Sequence, residues 1–291
     1  MTARPVTGAT RVAGIIGDPV THSASPLLHN AGYAALDLDR VYLAFEVPAG
    51  EGAAAVEAVR TLGLAGVNVT YPHKADAAAA CDELSSTAEV LGAVNTVVVR
   101  PDGSLYGTST DGDGFVRALA EEGVAVAGVS ALVLGAGGAA RAIAEALGRN
   151  GAEVVVAARR PDAAAAAARL APGGRAVDLT DDAAVAGALR AARLVVQATP
   201  VGMAGGAGTP AGSTVPIVAV ELLAPDAFVA ETIYHPAETP LLAAARARGL
   251  RGMNGLGMLL HQAVLAFQIL TDREISPDIL RKALTESARM V

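Results

Sequence analysis

A lysine directly after a short apolar segment is the first residue of this sequence whose position suggests chemistry. Lys74 follows the strand-like stretch 66–70 in GVNVTYPHK, and arginine supplies nearly all the other positive charge of the chain. A helix is expected to start near the lysine, and the first turn of a helix is an unfavourable place for a cation. Lys74 is therefore either a surface residue or an ammonium group placed for a substrate.

Polar side chains gather in four segments of an otherwise apolar N-terminal half. The segments are THSASPLLHN, NVTYPHK, GAVNT and STDGDGF. Each lies at the end of a predicted strand or the start of a predicted helix, where α/β proteins place their binding sites. Ser23 and Ser25 beside a helix start suit a carboxylate, although capping of the helix alone would account for Ser25. Asn95 and Asp111 either contact a ligand or satisfy turns.

A glycine-rich turn between a predicted strand and a predicted helix indicates a dinucleotide site. ALVLGAGGAARA contains Gly135, Gly137 and Ala140 in the G-x-G-x-x-A spacing. In this motif the first glycine permits the tight turn, the second lets the backbone approach a pyrophosphate, and the small third residue lets the helix pack close to the strand. The N–H groups at the start of the helix also favour phosphate. The alternative is a plain tight turn.

The end of the next predicted strand indicates which dinucleotide is bound. NAD sites usually have an acidic residue there, on the ribose hydroxyls. Here AARRPD places Arg159 and Arg160 at this point, and two guanidinium groups suit the 2′-phosphate of NADP. A solvated surface pair is the alternative, and Asp162 leaves NAD open. The predicted cofactor-binding residues are Gly135, Ala136, Gly137, Gly138, Ala139, Arg159, Arg160, Thr199 and Gly255.

Strand-like and helix-like segments alternate along the chain, which predicts an α/β fold. From residue 131 the strands are continuous apolar runs, typical of a parallel sheet covered on both faces. A hairpin is expected at 93–110, with its turn at Asp102-Gly103. The helices are expected at 25–38, 51–63, 138–149, 162–170, 182–191, 255–270 and 276–290, and a mobile loop at 205–212.

Composition excludes several classes of protein. The 291 residues fit one large domain or two of ordinary size, and 52% hydrophobic residues allow a sizeable core. A net charge of −7 argues against nucleic-acid or membrane partners. The single cysteine, Cys81, fits a reducing compartment. Without an apolar signal-peptide core or an apolar run of about 18 residues, a cytoplasmic protein is expected. No metal site is predicted.

Taken in order, these segments resemble the shikimate dehydrogenase family. The matching stretches are HSASPLLHN, NVTYPHK, LGAVNT, STDGDGF, LVLGAGGAARA, IYHPAETPLL and GLGMLLHQA. The resemblance implies two α/β domains: a substrate domain at 1–110 plus 255–291, to which the C-terminal helices return, and a Rossmann-like NADP-binding domain at 111–254. It implies reversible hydride transfer between NADP(H) and the 3-position of shikimate, giving 3-dehydroshikimate. The expected partner is this small-molecule substrate, and the expected assembly is a monomer or a homodimer.

The resemblance also implies a role for each polar residue. Lys74 and Asp111 match the catalytic pair. An ammonium group stabilises the charge that grows on the ketone oxygen and donates a proton, and a carboxylate keeps that ammonium charged. The implied substrate-binding residues are Ser23, Ser25, Thr70 and Tyr234 at the carboxylate, with Asn95 and Gln262 at the ring hydroxyls.

The sequence departs from the family pattern at a few positions. His73 stands where an apolar residue is usual, and it either tunes Lys74 or packs beside the turn. Glu231 and Asn254 stand where aspartate is usual. Two alternatives remain open: a quinate or quinate/shikimate dehydrogenase that uses NAD, and a non-catalytic regulatory protein that binds a dinucleotide. The second would be expected to lack Lys74 or Asp111.

Overall fold

The chain divides into two compact units. A computed structural model describes residues 5–203 and 218–288, so the loop predicted at 205–212 lies outside the described residues. Unit 1 comprises the chain up to residue 110 together with the part from 260 onward, and unit 2 comprises 111–259. No helix within these described ranges is both long and apolar enough to cross a membrane.

Strands and helices alternate in the first 110 residues, as the hydrophobic pattern predicts. The elements are β1 (Arg11–Gly17), α1 (Ser25–Ala35), β2 (Arg40–Glu46), α2 (Gly52–Thr61), β3 (Gly66–Val69), α3 (Lys74–Ala80), β4 (Glu83–Leu84), α4 (Ser86–Leu91), β5 (Thr96–Val99) and β6 (Leu105–Thr108). The predicted hairpin is confirmed, because β5 and β6 pair antiparallel with Val99 opposite Leu105.

The same alternation continues to the C-terminal end of the described residues. The elements are α5 (Asp111–Glu121), β7 (Ser130–Leu134), α6 (Gly138–Arg149), β8 (Glu153–Ala158), α7 (Pro161–Ala168), β9 (Arg175–Asp178), α8 (Asp182–Ala191), β10 (Leu194–Gln197), a 3₁₀ turn (Val220–Leu222), β11 (Phe228–Glu231), α9 (Pro240–Ala247), β12 (Arg251–Met253), α10 (Leu256–Thr271) and α11 (Pro277–Ala288). The predicted α/β class is confirmed.

Unit 1 is built on a mixed sheet. Its described strands lie in the order β2-β1-β3-β5-β6-β4, with β1 parallel to both β2 and β3, and β5 antiparallel to β3. The C-terminal helices pack on this sheet, as predicted. An added Cβ at Gly32 in α1 would meet Phe267 of α10 and Ile275, and the Arg40 guanidinium donates a hydrogen bond to the carbonyl oxygen of Leu270 at 2.6 Å.

Unit 2 is a doubly wound parallel sheet. Its described strands lie in the order β12-β11-β10-β7-β8-β9, and all of them are parallel. Leu132 and Leu134 of β7 belong to the hydrophobic cluster on one face, and Val133 belongs to the cluster on the other. Both faces are therefore covered, which accounts for the continuous apolar runs. The strand order reverses between β7 and β10, and such a reversal opens a crevice beyond the carboxyl ends of the strands.

Candidate active site

The glycine-rich turn between β7 and α6 combines one glycine that the fold requires with one that it does not. Gly135 has a φ of +115°, and a Cβ there would lie 2.8 Å from the carbonyl oxygen of Ala198. Only glycine fits that position without strain. A Cβ added at Gly137 would meet no atom within 4 Å, so this part of the turn faces open space. Ala140, the small third residue of the motif, is fully buried.

A cavity of about 650 Å³ lies at this turn, beyond the carboxyl ends of β7, β8 and β10. It occupies the crevice that the strand reversal creates. Its lining residues are Gly135, Ala136, Gly137, Ala158, Arg159, Arg160, Ala163, Leu179, Ala198, Thr199, Pro200 and Val201. Six of the nine predicted cofactor residues are thus brought together.

Two guanidinium groups stand at one side of this cavity. Arg159 and Arg160 are both exposed and follow β8 directly, with Pro161 starting α7. Neither guanidinium group makes a hydrogen bond or an ion pair with a described residue, so both remain available to an anion. The guanidinium pair, the open space at Gly137 and the N–H groups at the start of α6 fit a dinucleotide that carries an additional phosphate.

The other predicted cofactor residues lie elsewhere in unit 2. Gly138 and Ala139 are the first residues of α6 and directly follow the turn. Gly255 does not line this cavity. Its N–H group donates to the carbonyl oxygen of Ile233 at 2.7 Å, and an added Cβ would overlap the backbone of Thr232. Its small size therefore serves the close approach of two backbone segments.

Gln197 supports the wall of the nucleotide cavity and was not predicted from the sequence. It is fully buried at the end of β10. Its Nε2 group donates to the carbonyl oxygens of Thr199 at 3.2 Å and Val201 at 2.7 Å, and its Oε1 atom accepts from the Thr199 N–H group. Gln197 therefore holds the cavity wall at 199–201. A polar residue at the end of an otherwise apolar parallel strand was the available signal.

Ser23 and Ser25 stand at the start of α1 in unit 1. The helix begins at Ser25 itself, Ala24 is the N-cap residue, and no side chain caps the helix. A capping role for Ser25 is therefore wrong, because Ala24 is the N-cap residue and Ser25 already lies within the helix. Ser25 is buried and its side chain interacts with the Tyr42 hydroxyl. The Ser23 hydroxyl accepts a hydrogen bond from the Ser25 N–H group at 3.2 Å.

Thr70 and Lys74 lie between β3 and α3. Thr70 directly follows β3, and Lys74 is the half-buried first residue of α3. His73, between them, is completely buried, and its Nε2 atom lies 2.8 Å from the carbonyl oxygen of Val47. This bond holds the histidine ring against the segment after β2. His73 therefore packs beside the turn.

Asn95 lies at the centre of a buried set of hydrogen bonds. Its Oδ1 atom accepts from the Thr110 N–H group and from the Thr96 hydroxyl, both at 2.9 Å. Its Nδ2 group donates to the Thr110 hydroxyl at 2.9 Å. The Thr110 hydroxyl in turn lies 3.2 Å from the carbonyl oxygen of Gln262, a half-buried residue of α10. The structure thus connects Asn95 with Gln262 through one threonine.

Asp111 is the half-buried first residue of α5 in unit 2. The glycine that follows fixes this helix. A Cβ at Gly112 would overlap the carbonyl oxygen of Ala142 and approach the Cβ of Ala146 to 2.7 Å. The close packing of α5 on α6 therefore requires glycine directly after Asp111.

Glu231 is the last residue of β11, and Tyr234 lies just beyond the end of this strand. Tyr234 is 39% exposed, and partial burial raises the pKa of its hydroxyl. Glu231 is fully buried, and burial raises its pKa to about 7, with the Thr239 side chain opposing the shift. In the described part of the chain, no group of three or more His, Cys, Asp or Glu residues is arranged to hold a metal ion.

Comparisons with known proteins agree with this arrangement. Residues 15–97 match the family model for the shikimate dehydrogenase substrate binding domain, and residues 255–285 match the model for the shikimate 5'-dehydrogenase C-terminal domain. The shikimate dehydrogenase (NADP(+)) of Symbiobacterium thermophilum is 44% identical over 95% of this chain and 94% of its own. That of Methanopyrus kandleri is 41% identical over 98% of both chains.

A solved structure extends the likeness to three dimensions. The crystal structure of shikimate 5-dehydrogenase from Thermus thermophilus, in complex with NADP(H) and shikimate, is 37% identical with a TM-score of 0.81. The match covers 95% of this chain and 99% of that one. Given this agreement in sequence, fold and nucleotide cavity, the chain belongs to the shikimate dehydrogenase family.

Proposed function

We propose that the protein catalyses the reversible NADP-dependent reduction of 3-dehydroshikimate to shikimate, a step of aromatic amino-acid biosynthesis. The observation that carries this proposal is the nucleotide cavity with two unpaired arginines, Arg159 and Arg160, in a member of this family. NADPH supplies the hydride. Unit 2 binds the dinucleotide and unit 1 binds the cyclic acid.

The nucleotide is held mainly by backbone and guanidinium groups. The end of the turn at Gly137 and the start of α6 receive the pyrophosphate, because the first N–H groups of a helix have no partner within it. Arg159 and Arg160 bind the 2′-phosphate with charge-assisted hydrogen bonds. Thr199 lines the wall that Gln197 supports. Gly255 and the first residues of α6 set the path of the backbone near the nucleotide cavity.

Substrate binding uses hydroxyl and amide groups of the polar segments. Ser23 and Ser25 donate hydrogen bonds to the substrate carboxylate, with Thr70 and Tyr234 in support. Asn95 and Gln262 hold the ring hydroxyls. Neutral donors suit this task because several can bind one carboxylate without leaving an unpaired charge when the site is empty.

Lys74 and Asp111 act together on the reacting carbon–oxygen bond. The Lys74 ammonium stabilises the negative charge that develops on the oxygen and donates the proton. The Asp111 carboxylate keeps the ammonium charged and orients it. A variant with both residues replaced should lose little more turnover than the worse single variant, since residues that act as a unit are not additive.

Steady-state kinetics with two acids and two cofactors test this proposal. We expect the highest kcat/KM for shikimate with NADP. A higher value for quinate with NAD would replace the proposal with a quinate dehydrogenase. Binding of NADP without turnover of either acid, in protein that retains Lys74 and Asp111, would favour a regulatory dinucleotide-binding protein instead.

We also propose that the enzyme works in the cytoplasm, as a monomer or a homodimer. Its one cysteine, Cys81, is a free thiol, which suits a reducing compartment. Fractionation of cells that carry a tagged chain tests the location, and light scattering of the purified protein measures the molar mass.

A further inference from the structure

A chain of buried hydrogen bonds runs through unit 1 from Tyr42 on β2 to Asn95. The Tyr42 hydroxyl donates to Oδ1 of Asn68 at 2.6 Å. The Nδ2 group of Asn68 donates to the Thr96 hydroxyl at 3.0 Å and to the carbonyl oxygen of Asn95 at 3.1 Å. The Thr96 hydroxyl donates to Oδ1 of Asn95 at 2.9 Å. These bonds connect β2, β3 and the start of β5, and the Tyr42 hydroxyl reaches past β1, which lies between β2 and β3.

The direction of every bond in this chain is fixed by the tyrosine. Tyr42 is fully buried, and burial raises its pKa well above the ordinary value, so its hydroxyl keeps its proton and donates. Asn68 must then present its oxygen to Tyr42 and its NH₂ group to Thr96. Thr96 accepts that bond and has its own proton left for Asn95. A reversed carboxamide at Asn68 would bring two donors together at Tyr42.

Tyr42 is itself held by three contacts, one to its ring and two to its backbone. Its ring stacks on His29 with a centroid distance of 4.2 Å and an angle of 9° between the planes. Burial lowers the pKa of His29 to about 3, so this stack carries no charge. Asn30 of α1 binds both backbone groups of Tyr42, accepting from N at 2.9 Å and donating to O at 2.8 Å. The hydroxyl therefore has a fixed position.

We propose that Tyr42 is a positioning residue for the reaction. Its hydroxyl orients Asn68, and Asn68 orients Asn95 through Thr96, so that the Asn95 amide is aimed at a ring hydroxyl of the substrate. The inference rests on the proposed function, since it gives Asn95 a substrate to hold.

Tyr42→Phe removes the hydroxyl and keeps the ring that stacks on His29. Tyr33→Phe is the matched control. Tyr33 is also a buried tyrosine of the same aromatic cluster, 6.3 Å from the His29 ring and 5.5 Å from the Phe267 ring. Its buried hydroxyl has no hydrogen-bond partner among the described residues and is not part of the chain from Tyr42 to Asn95. Both variants lose one buried oxygen at nearly constant packing.

We expect Tyr42→Phe to lower kcat/KM for shikimate by about tenfold, as the loss of about 1.4 kcal/mol of stabilisation would. The loss should fall mainly on KM for shikimate, with KM for NADP unchanged. Tyr33→Phe should keep the kinetics of the unsubstituted enzyme. General loosening of unit 1 would give both variants the same defect.

Thr96 provides a second test that does not depend on the aromatic cluster. Thr96→Val keeps the shape of the side chain but breaks the chain of bonds, and Thr96→Ser restores the hydroxyl. We expect Val to reproduce the Tyr42→Phe defect and Ser to remove it. The Tyr42→Phe/Thr96→Val double variant should lose no more kcat/KM than the more impaired of the two single variants, because both changes interrupt one path.

The outcomes separate this inference from the function on which it rests. Absence of shikimate turnover in the unsubstituted enzyme would overturn both. Turnover by that enzyme, with Tyr42→Phe equal to Tyr33→Phe or Thr96→Val equal to Thr96→Ser, would overturn the positioning role alone. Additive losses in the double variant would also overturn it.

Discussion

Positive charge is supplied by two kinds of residue for two different tasks. The proposed proton donor, Lys74, is an ammonium group on a flexible stem, and it can release a proton. The nucleotide cavity has Arg159 and Arg160, whose planar groups remain charged and match a phosphate with paired hydrogen bonds. The chain has only one other lysine, Lys282 on α11.

Replacing Lys74 tests its catalytic role. Lys74→Ala should lower kcat by roughly 10²-fold or more, because a positioned general acid contributes at least that much. The Kd for shikimate should change much less. Lys282→Ala is the matched control, since it removes the other lysine from an exposed helix face. A rise in KM with unchanged kcat would show that Lys74 only binds substrate.

Replacing Arg159 tests the choice of dinucleotide. Arg159→Ala should weaken NADP by about tenfold or more, the value of a lost hydrogen bond to a charged group, while NAD is nearly unaffected. The measurement is the Kd of each dinucleotide by titration. Arg169→Ala, at the other end of α7, is the control. Equal weakening of NADP and NAD would remove the argument for a 2′-phosphate site.

At the level of elements, the turn between β7 and α6 contains one glycine that the fold requires and one that it does not. Gly135 is required by its positive φ and by the nearby carbonyl of Ala198. Gly137 is required by nothing in the described protein, because a Cβ there would meet only open space. In the proposed function, its lack of a side chain leaves room for the pyrophosphate of the dinucleotide.

Alanine at each of these glycines should give opposite results. Gly135→Ala should lower the free energy of unfolding by about 1–3 kcal/mol, because a non-glycine residue is strained there. Gly137→Ala should leave the unfolding free energy unchanged and raise the Kd for NADP. Urea denaturation and dinucleotide titration of both variants make the comparison. A destabilised Gly137→Ala variant with normal NADP affinity would mean that the turn is only structural.

The sequence predicts the longer elements well, and their ends less well. Helices 138–149 and 182–191 were predicted with the bounds that the structure has, since their apolar period is regular. The short β4 and α4 were missed, because two to six residues carry too little periodicity. The start of α1 was predicted at the right residue, but its cap was not: a serine before proline is typical of a capping residue, whereas Ala24 is the N-cap here.

At the level of the whole molecule, one buried carboxyl group makes stability depend on pH. Glu231 has a pKa of about 7 in the folded protein, against an ordinary value of 4.5. Its carboxyl group is neutral in both states below pH 4.5. Between pH 4.5 and 7 the unfolded chain releases the proton first, so the folded state loses stability as the pH rises.

Glu231→Gln should abolish this pH-dependent loss. The stability of the variant relative to the unsubstituted protein should rise by on the order of 2 kcal/mol between pH 4.5 and pH 8. The measurement is the unfolding free energy in urea across that range. Glu221→Gln, at an exposed position of unit 2, is the control and should show no such trend. A difference that is constant with pH would show that Glu231 is ionised in the folded state.

How much of the candidate site could be predicted depends on what each residue does. Residues at strand ends, such as Arg159 and Thr199, could be placed because parallel strands bring their carboxyl ends to one edge. Gln197 and Tyr42 could not. A single polar residue within an apolar strand is a weak signal in the sequence, and only the fold shows which partners its side chain reaches.

Asn30 has a consequence for the behaviour of the protein at high concentration. β2 is an outer strand of its sheet, and such a strand can recruit a strand from another molecule and start aggregation. Asn30 already occupies the N–H and C=O groups of Tyr42 midway along β2. One amide side chain thus substitutes for the missing neighbour, and it makes this edge of the protein a poor template for self-association.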